Sequence, residues 1–562
     1  MRRHEHEAKI QQNFMLGSPK CAPRKSFVIY GTVYNIIMAS YTTIIKGGTV
    51  ISNRRSEKAD VGIKGDKISF IGNLSDASAD KIIDATGKHI SSGFIDITCH
   101  SDTHWTLFSD PSQESLLTQG ITTILGGNCG ASLAPLVKSS DISVVQRWTD
   151  INQINVNWHS LSEFFEELSK RKIGVNFATL VGHGILRRGV LGDEARHADV
   201  AEIASMEHLL KEAMEDGAFG LSTNLGSAHG RSAGDQELRS LFRVIKENGG
   251  FTKHHLKDEG KNILPSIVEL IRMARESGTG LHLSHFKILG RGAWPFFHDA
   301  IELLDSAENE GLRISADLFP YTKTGSALYQ LLPPWILEGG SKDKILESLK
   351  NKNSRLEIKA FLKSLTLHYE KMIIASALKD SASVGKTVAE LSNSSGLDPE
   401  EFIIRILEAN QLACSIFNEV INIEHVSDFA KKSWVAIASD GVGYSFEKKN
   451  LFDLPHPRSF GAFPKAFEVF LKERDALRLE DLVYKMTELP ASIVGLKQRG
   501  RLEKDNFADI VVFDFQNIGG PSEYGNPYLP STGIEHVFVN GKAAVEGGKL
   551  SGTAAGRILR RA

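Results

Sequence analysis

The sequence has little of what marks the more specialised protein classes. Only four cysteines occur in 562 residues, at positions 21, 99, 129 and 414, which is too few and too scattered for a disulfide framework. No run of about 20 apolar residues occurs, so no membrane-spanning helix is expected. The 66 basic and 68 acidic residues give a net charge of −2, which offers no electrostatic footprint for nucleic acid or a membrane surface. We therefore expect a cytoplasmic globular protein without a nucleic-acid or membrane partner, and the sequence leaves its oligomeric state open.

Eight short β-rich runs are present, and helical stretches separate most of them. Eight βα units that close on themselves form a (β/α)8 barrel, the TIM-like fold, whose functional residues lie at the C-terminal ends of the strands. The runs are Phe94–His100, Ile121–Gly127, Val175–Gly182, Ala218–Asn224, Phe251–His255, Leu281–His285, Arg313–Pro320 and Trp434–Asp440. Because several of these runs end at potential metal ligands, we predict an α/β protein with the barrel of a metal-dependent hydrolase.

The candidate ligands and acid/base groups at these ends are His100, Cys129, His255, His285 and Asp440, which a barrel would direct into one mouth. Zinc binds thiolate and imidazole in tetrahedral geometry, and a catalytic site keeps one position open for water. Cys129, His255 and His285 supply three ligands and leave that position open. Each candidate also has a structural interpretation: a buried apolar cysteine, hydrogen-bonded core histidines, and a plain turn at Asp440-Gly441.

The two ends of the chain differ from the middle in their predicted secondary structure. Residues 41–92 and 498–562 are strand-and-turn sequence with little helix, and they contain hairpin-turn signals at Gly65-Asp66 and Asn540-Gly541. Neither end could bury a sheet alone. We predict that together they form a small β-sandwich domain beside a catalytic barrel of residues 93–497.

A long stretch separates the seventh β-rich run from the eighth. It contains helical patterns such as 342–349 and 399–408, so residues 332–430 are predicted to be an inserted helical subdomain. Residues 1–40 are predicted to be an N-terminal extension, either disordered or upstream of a natural start at Met38. A signal peptide is the alternative for the apolar run 27–39, although its Tyr, Gly and Asn residues and its distance from the N-terminus argue against it.

Nine motifs between about residues 42 and 560 carry a family resemblance. They are Gly93–Asp102, Gly120–Gly130, Gly217–Thr223, His255–Glu259, Ser284–Lys287, Phe319–Tyr321, Ser439–Gly441, His456–Arg458 and Lys485–Thr487. In this order they resemble the N-acyl-D-amino-acid deacylases, or D-aminoacylases, of the amidohydrolase superfamily. The Gly-Asn-Cys-Gly segment at 127–130 is the most diagnostic, because most superfamily relatives use lysine or glutamate as the bridging ligand.

The resemblance implies a role for each site residue. Cys129, His255 and His285 would bind one Zn2+ tightly, and His100 would belong to a weak second metal position. Asp440 would be the general base that takes a proton from the metal-activated water and then, as the acid, hands it to the departing amine. The free carboxylate of the substrate would be bound by Lys287, Tyr321 and Arg458, of which the arginine offers a two-point grip.

The sequence departs from the family at its first barrel strand. Relatives have His-x-His there, whereas this chain has Thr98-Cys99-His100. Thr98 cannot act as a strong zinc ligand, and Cys99 should point to the opposite side of the strand. We therefore expect one tightly bound metal ion and a doubtful second site.

Three further positions bear on the substrate. Relatives have tyrosine and proline near positions 227 and 229, where this chain has Ser227 and His229, and they have arginine at the position of Lys257. The acyl group and the amino acid preferred, and the physiological metal, therefore stay open.

The predicted activity is hydrolysis of the linear amide of an N-acyl-D-amino acid to a carboxylate and a D-amino acid. The alternatives are a cyclic-amide hydrolase of the hydantoinase or dihydroorotase type and a non-catalytic amidohydrolase-fold scaffold. The cysteine-containing motif and Arg458 argue against the first alternative, and the intact tight-site ligands argue against the second.

Overall fold

The computed structural model describes residues 27–29, 32–34, 40–138, 142, 156–337, 342–365, 367–450 and 452–561. The predicted N-terminal extension lies almost wholly outside these residues; within it, Phe27–Ile29 pairs antiparallel with Thr32–Tyr34. In the described part of the chain no helix has both the length and the apolar character needed to cross a bilayer.

The eight predicted strands are all present as parallel strands. Their bounds are Phe94–Asp96, Ile121–Gly126, Asn176–Thr179 with Val181–Gly182, Gly220–Asn224, Phe251–His255, Leu281–Leu283, Ile314–Leu318 and Val435–Ile437. The first three pair in one sheet, and the rest follow from Val181–Gly182 in a second sheet in chain order. A parallel bridge between Cys99 and Gly441 links the end of the first strand to the end of the eighth. All the C-terminal strand ends therefore face the same way.

Helices follow most of these strands and cover their outer face. Ser160 and Asp199 each begin a helix with a capping box, in which the side chain accepts a backbone N–H of the first turn. Gly278 ends its helix in the left-handed conformation, with φ +65°. The longer helices are Leu161–Ser169, His183–Leu191, Val200–Glu215, Asp235–Glu247, Ile263–Ser277, Phe297–Asn309, Ile423–Ala430, Arg458–Phe467, Leu479–Met486 and Glu488–Val494.

The segment before the eighth strand has a hydrophobic core of its own. Its helices are Pro334–Leu337, Lys342–Lys350, Lys352–Ser364, Val388–Ser395 and Pro399–Ala409. It also contains antiparallel strands that the prediction of a helical subdomain lacked: Cys414–Glu419 lies between Lys323–Ala327 and Met372–Ala377. The buried positions of Met372–Ala377 are nearly continuous, and a short apolar run of this kind does not distinguish a strand from a buried helix.

Both chain ends contribute strands to two further sheets. The seven-stranded sheet contains Thr49–Ser52, Arg55–Lys58, His89–Ser92, Ile510–Phe513, Ile534–Val539, Lys542–Glu546 and Lys549–Leu550. The four-stranded sheet contains Tyr41–Lys46, Asp60–Lys64, Lys67–Gly72 and Ala79–Asp84. One apolar cluster combines residues of both sheets, including Ile45, Ile63, Ile90 and Val512. The domain boundaries given above remain predictions.

Candidate metal centre

Three of the predicted ligands converge at the C-terminal strand ends. The ligand atoms of Cys129, His255 and His285 all lie within 4.8 Å of one another. The Sγ of Cys129 is 3.2 Å from Nε2 of His285. The rings of His255 and His285 are nearly perpendicular, with centroids 4.6 Å apart. Across the described residues, no other group of histidine, cysteine and acidic side chains is close enough to hold a metal ion in this way.

The loop after the second parallel strand places Cys129. Its φ is +52°, and the flanking Gly127 and Gly130 have φ of +69° and +73°. A Cβ atom at Gly127 would lie 2.0 Å from the carbonyl oxygen of Leu180, so only glycine fits there. The side-chain amide of Asn128 donates to two buried backbone carbonyl groups and holds the turn. The two glycines and Asn128 of the Gly-Asn-Cys-Gly segment therefore each have a local structural reason.

The donor set fits zinc. Ligand atoms about 2.0–2.3 Å from a zinc ion lie about 3.3–3.6 Å apart across a tetrahedron, close to the separation between Cys129 Sγ and His285 Nε2. Nδ1 of His255 is buried and has no hydrogen-bond partner among the described residues, which leaves a nitrogen free for a ligand bond. One thiolate and two imidazoles also match the ligand types that zinc prefers.

The electrostatic environment favours the thiolate of Cys129. Burial alone would raise the pKa of this thiol, but the imidazoles of His285, His100 and His255 hold it well below its ordinary value. At Cys414, far from this cluster, burial raises the pKa to about 12. Because the thiolate is the metal-binding form, Cys129 is the cysteine suited to be a ligand.

Glu259 supports the two histidines. Its carboxylate accepts a hydrogen bond from Nζ of Lys287 at 2.6 Å, and it lies 3.3 Å from Nδ1 of His285 and 3.8 Å from Nε2 of His255. Burial alone would raise the pKa of Glu259, yet Lys287 and His255 hold it well below the ordinary value. A carboxylate at the second nitrogen of a metal-binding imidazole fixes the ring's orientation and tautomer.

Asp440 lies between a histidine and an arginine. Its Oδ1 is 3.0 Å from Nε2 of His100, and its Oδ2 is 2.7 Å from the guanidinium of Arg458. Burial would raise the pKa of Asp440, but Arg458, His285 and His100 hold it well below its ordinary value. The carboxylate is therefore ionised at neutral pH, as a proton acceptor must be.

Of the three residues predicted to bind the substrate carboxylate, Lys287 contacts the triad and Arg458 contacts Asp440. Lys287 is on the Glu259 side, with its Nζ 3.0 Å from Nδ1 of His285. Arg458 is on the Asp440 side, with its guanidinium 4.8 Å from the ring centroid of Phe319. The hydroxyl of Tyr321 is buried, and within the described part of the chain it has no hydrogen-bond partner.

Thr98 does not face the triad as a ligand. Its hydroxyl donates to Oδ2 of Asp317 at 2.6 Å, and Oδ1 of Asp317 accepts the backbone N–H of His285 at 2.7 Å. This bond restrains His285, whose φ of +36° is uncommon for a residue other than glycine. Cys99 points elsewhere, with its Sγ 3.2 Å from Oγ of Ser101.

The other departures from the family are buried or paired. The hydroxyl of Ser227 caps the short helix Ala228–Arg231 by accepting the N–H of Gly230. Burial and the nearby Arg188 and Arg187 lower the pKa of His229 to about 4. Lys257 lies 3.5 Å from Glu269.

Glu259 and Asp317 were not assigned a role from the sequence. Glu259 stands four residues after His255 within a quoted motif, and Asp317 is the acidic residue in the otherwise apolar end of the seventh run. The sequence shows that both residues lie in or beside predicted strands, but it does not show which residues they contact in the folded protein.

Comparisons with known proteins identify the family of this chain. Residues 81–317 match the amidohydrolase family. The chain is 30% identical to N-acyl-D-glutamate deacylase of Alcaligenes xylosoxydans xylosoxydans over 92% of this chain and 96% of that protein. The crystal structure of N-acyl-D-glutamate deacylase from Bordetella bronchiseptica, with zinc and a phosphonate inhibitor, is 25% identical, with a TM-score of 0.78 over 93% of this chain and all of that one. A D-aminoacylase structure described as having a binuclear metal centre is 28% identical, with a TM-score of 0.76 over the same shares. The amidohydrolase fold is thereby confirmed, and the chain belongs to the N-acyl-D-amino-acid deacylase family of amidohydrolases.

Proposed function

We propose that this protein is a zinc-dependent hydrolase that cleaves the amide of N-acyl-D-amino acids. The observation that carries the proposal is the convergence of Cys129, His255 and His285 beside an ionised Asp440. The family relatives named above act on N-acylated D-amino acids or bind zinc with a phosphonate that mimics the tetrahedral intermediate of the reaction.

The three ligands would hold one zinc ion. Bound there, zinc would act as a Lewis acid and would make a water molecule more acidic at neutral pH. Glu259 would keep the rings of His255 and His285 oriented, and Asp317 would hold the backbone of His285. These supports leave the side chains of the triad free to bind the ion.

Asp440 would carry the proton. It accepts a proton from the attacking water as the oxygen bonds to the amide carbon, and it gives that proton to the nitrogen as the carbon–nitrogen bond breaks. His100 and Arg458, at 3.0 and 2.7 Å, hold the carboxylate in place. The products are a carboxylate and a free amino acid.

Arg458 would also determine which enantiomer of the substrate binds productively. A guanidinium can bind a carboxylate through two parallel hydrogen bonds, and Tyr321 offers a buried hydroxyl without a partner among the described residues. With the carboxylate and the scissile amide both fixed, the side chain on the α-carbon has one permitted direction. One enantiomer would therefore fit and the other would clash, and the names of the relatives point to D as the enantiomer that fits.

Steady-state kinetics on paired N-acetyl-D- and N-acetyl-L-amino acids test the proposal, with leucine, methionine, glutamate and aspartate as the side chains. We expect hydrolysis of D over L in at least one pair. Arg458→Lys keeps the positive charge but loses the pair of parallel hydrogen bonds to the carboxylate. It should therefore raise KM about tenfold and reduce the preference for D over L substrates. Arg243→Lys, at an exposed arginine 2.9 Å from Glu207, is the matched control. Equal rates on both enantiomers would refute the assignment, as would an unchanged KM in Arg458→Lys.

A further inference from the structure

A buried lysine lies at the base of the proposed metal centre, and no role has yet been given to it. Lys253 is on the strand Phe251–His255, two residues before His255, and its side chain is fully buried. Residues two apart on a strand face the same side of the sheet. Lys253 therefore points to the barrel interior beneath the triad.

The ammonium group of Lys253 has three oxygen partners. It donates to the carbonyl oxygen of Ile97 and to Oγ1 of Thr98, and it lies 3.0 Å from Oδ2 of Asp317. An ammonium group has three N–H donors and no lone pair. All of its hydrogen-bonding capacity is therefore used, and it sits among oxygens as a fixed cation.

The hydroxyl group of Thr98 is likewise already hydrogen-bonded, both as a donor and as an acceptor. Its hydroxyl proton goes to Asp317, and its oxygen accepts from Lys253. Asp317 also accepts from Nε2 of His282 at 2.7 Å and from the backbone N–H of His285. The side chains of Lys253 and Asp317 are both fully buried, and their charged atoms lie 3.0 Å apart, so the two residues form a buried ion pair.

This arrangement bears on how many metal ions the site can hold. The D-aminoacylase compared above is described as having a binuclear centre, and the family resemblance implies a histidine at the position of Thr98. Here the hydroxyl at that position is bonded to a cation already. A second divalent ion beside His100 would lack that ligand and would also meet the positive charge of Lys253.

We propose that Lys253 limits this site to one metal ion. Its ammonium group donates a hydrogen bond to the hydroxyl of Thr98 and places a fixed positive charge where a second ion would need a ligand. The inference rests on the proposed function, because it concerns the same metal centre. It predicts that restoring histidine at position 98 is not sufficient to create a second metal site. The lysine must be removed as well.

The experiment counts zinc per chain, so it does not depend on activity. Full-length variants are stripped with a chelator and dialysed to equilibrium against the same excess of zinc, and the zinc bound per chain is measured by elemental analysis against the dialysate. The wild type and Thr98→His should each hold about one zinc. Thr98→His combined with Lys253→Met and Asp317→Asn should hold about two, as two-metal hydrolase sites do. The same Lys253→Met and Asp317→Asn pair with Thr98 intact is the matched control and should hold one.

The substitutions are chosen so that the protein can still fold. Breaking a buried ion pair by removing one partner leaves an uncompensated charge, so both charges are removed together. The amide oxygen of asparagine at 317 can still accept the backbone N–H of His285. Thr98→His with Lys253→Gln and Asp317→Asn, in which the glutamine keeps a donor for the carbonyl of Ile97, is a second route to the same comparison, and thermal unfolding checks that each variant is folded.

Three results would overturn the inference: two tightly held zinc ions in the wild type, two in Thr98→His alone, or one in every folded variant that lacks Lys253. Titration of the wild type with excess zinc gives an answer that needs no variant, since a second tight ion there is enough to refute it. A wild type that holds one zinc but hydrolyses no N-acyl-D-amino acid would instead refute the proposed function and leave the metal counts interpretable.

Discussion

Two groups of polar residues lie next to each other among the parallel strands and differ in what they can bind. In the triad of Cys129, His255 and His285, the three ligand atoms lie within 4.8 Å of one another, and the neighbouring polar groups contact other atoms of these residues. The group of Thr98, Lys253 and Asp317 is more deeply buried, and its donors and acceptors bond to each other. The contrast shows that buried polar residues at strand ends make a metal site only where lone pairs are left free.

The two groups are also joined. Asp317 accepts the backbone N–H of His285, so the ion pair holds in place one of the residues that would bind metal. This contact explains why a charged pair is kept in the interior, where replacement by apolar residues is often neutral or stabilising. The inner group is a support, and the outer group is the reactive part of the site.

Removal of a ligand from the triad should have the largest effect. Cys129→Ala should lose the tight zinc and reduce turnover about 1,000-fold or more, because the metal contributes several kcal/mol to the reaction. Cys414→Ala is the matched control, since it removes a buried thiol whose pKa burial raises to about 12, away from the triad. Zinc content and kcat of both variants decide the point. A Cys129→Ala protein that keeps zinc and activity would show that the triad is not the metal site.

A smaller loss of kcat is expected from substitution of Asp440, the proposed proton carrier, because it is not one of the three metal ligands. Asp440→Asn should keep its zinc and its fold but lose at least about 100-fold in kcat, the usual scale for a positioned acid/base group. Asp453→Asn is the control, because it neutralises a half-buried aspartate whose pKa is raised by burial to about 6. If Asp440→Asn turns over N-acetyl-D-amino acids at close to the wild-type rate, another group carries the proton.

The sequence predicted the outer group better than the inner one. Cys129, His255 and His285 are residue types with few structural uses at strand ends, and glycines on both sides of Cys129 mark a special turn. The structure places both Cys129 and His285 in the left-handed region, with φ of +52° and +36°. The eight strands were predicted for a related reason, since short apolar runs ended at such turns.

The inner group could not be predicted in the same way. Lysine and aspartate are common on surfaces, and nothing near Lys253 or Asp317 in the chain indicates that the two side chains meet in the interior. Their pairing depends on which face of each strand turns inward and on the order of strands around the barrel. The strands Met372–Ala377 and Cys414–Glu419 were missed because their partners are distant in sequence and the surrounding pattern is helical.

Titration of zinc into the metal-free wild-type protein, followed by the rate of N-acetyl-D-amino-acid hydrolysis, tests the central claim most directly. Activity should be absent without metal, rise in proportion to zinc, and reach its maximum at about one equivalent, because three protein ligands and one open position make one catalytic site. Full activity in the metal-free protein, no hydrolysis of any D substrate at any zinc level, or a maximum only at two equivalents would contradict the account.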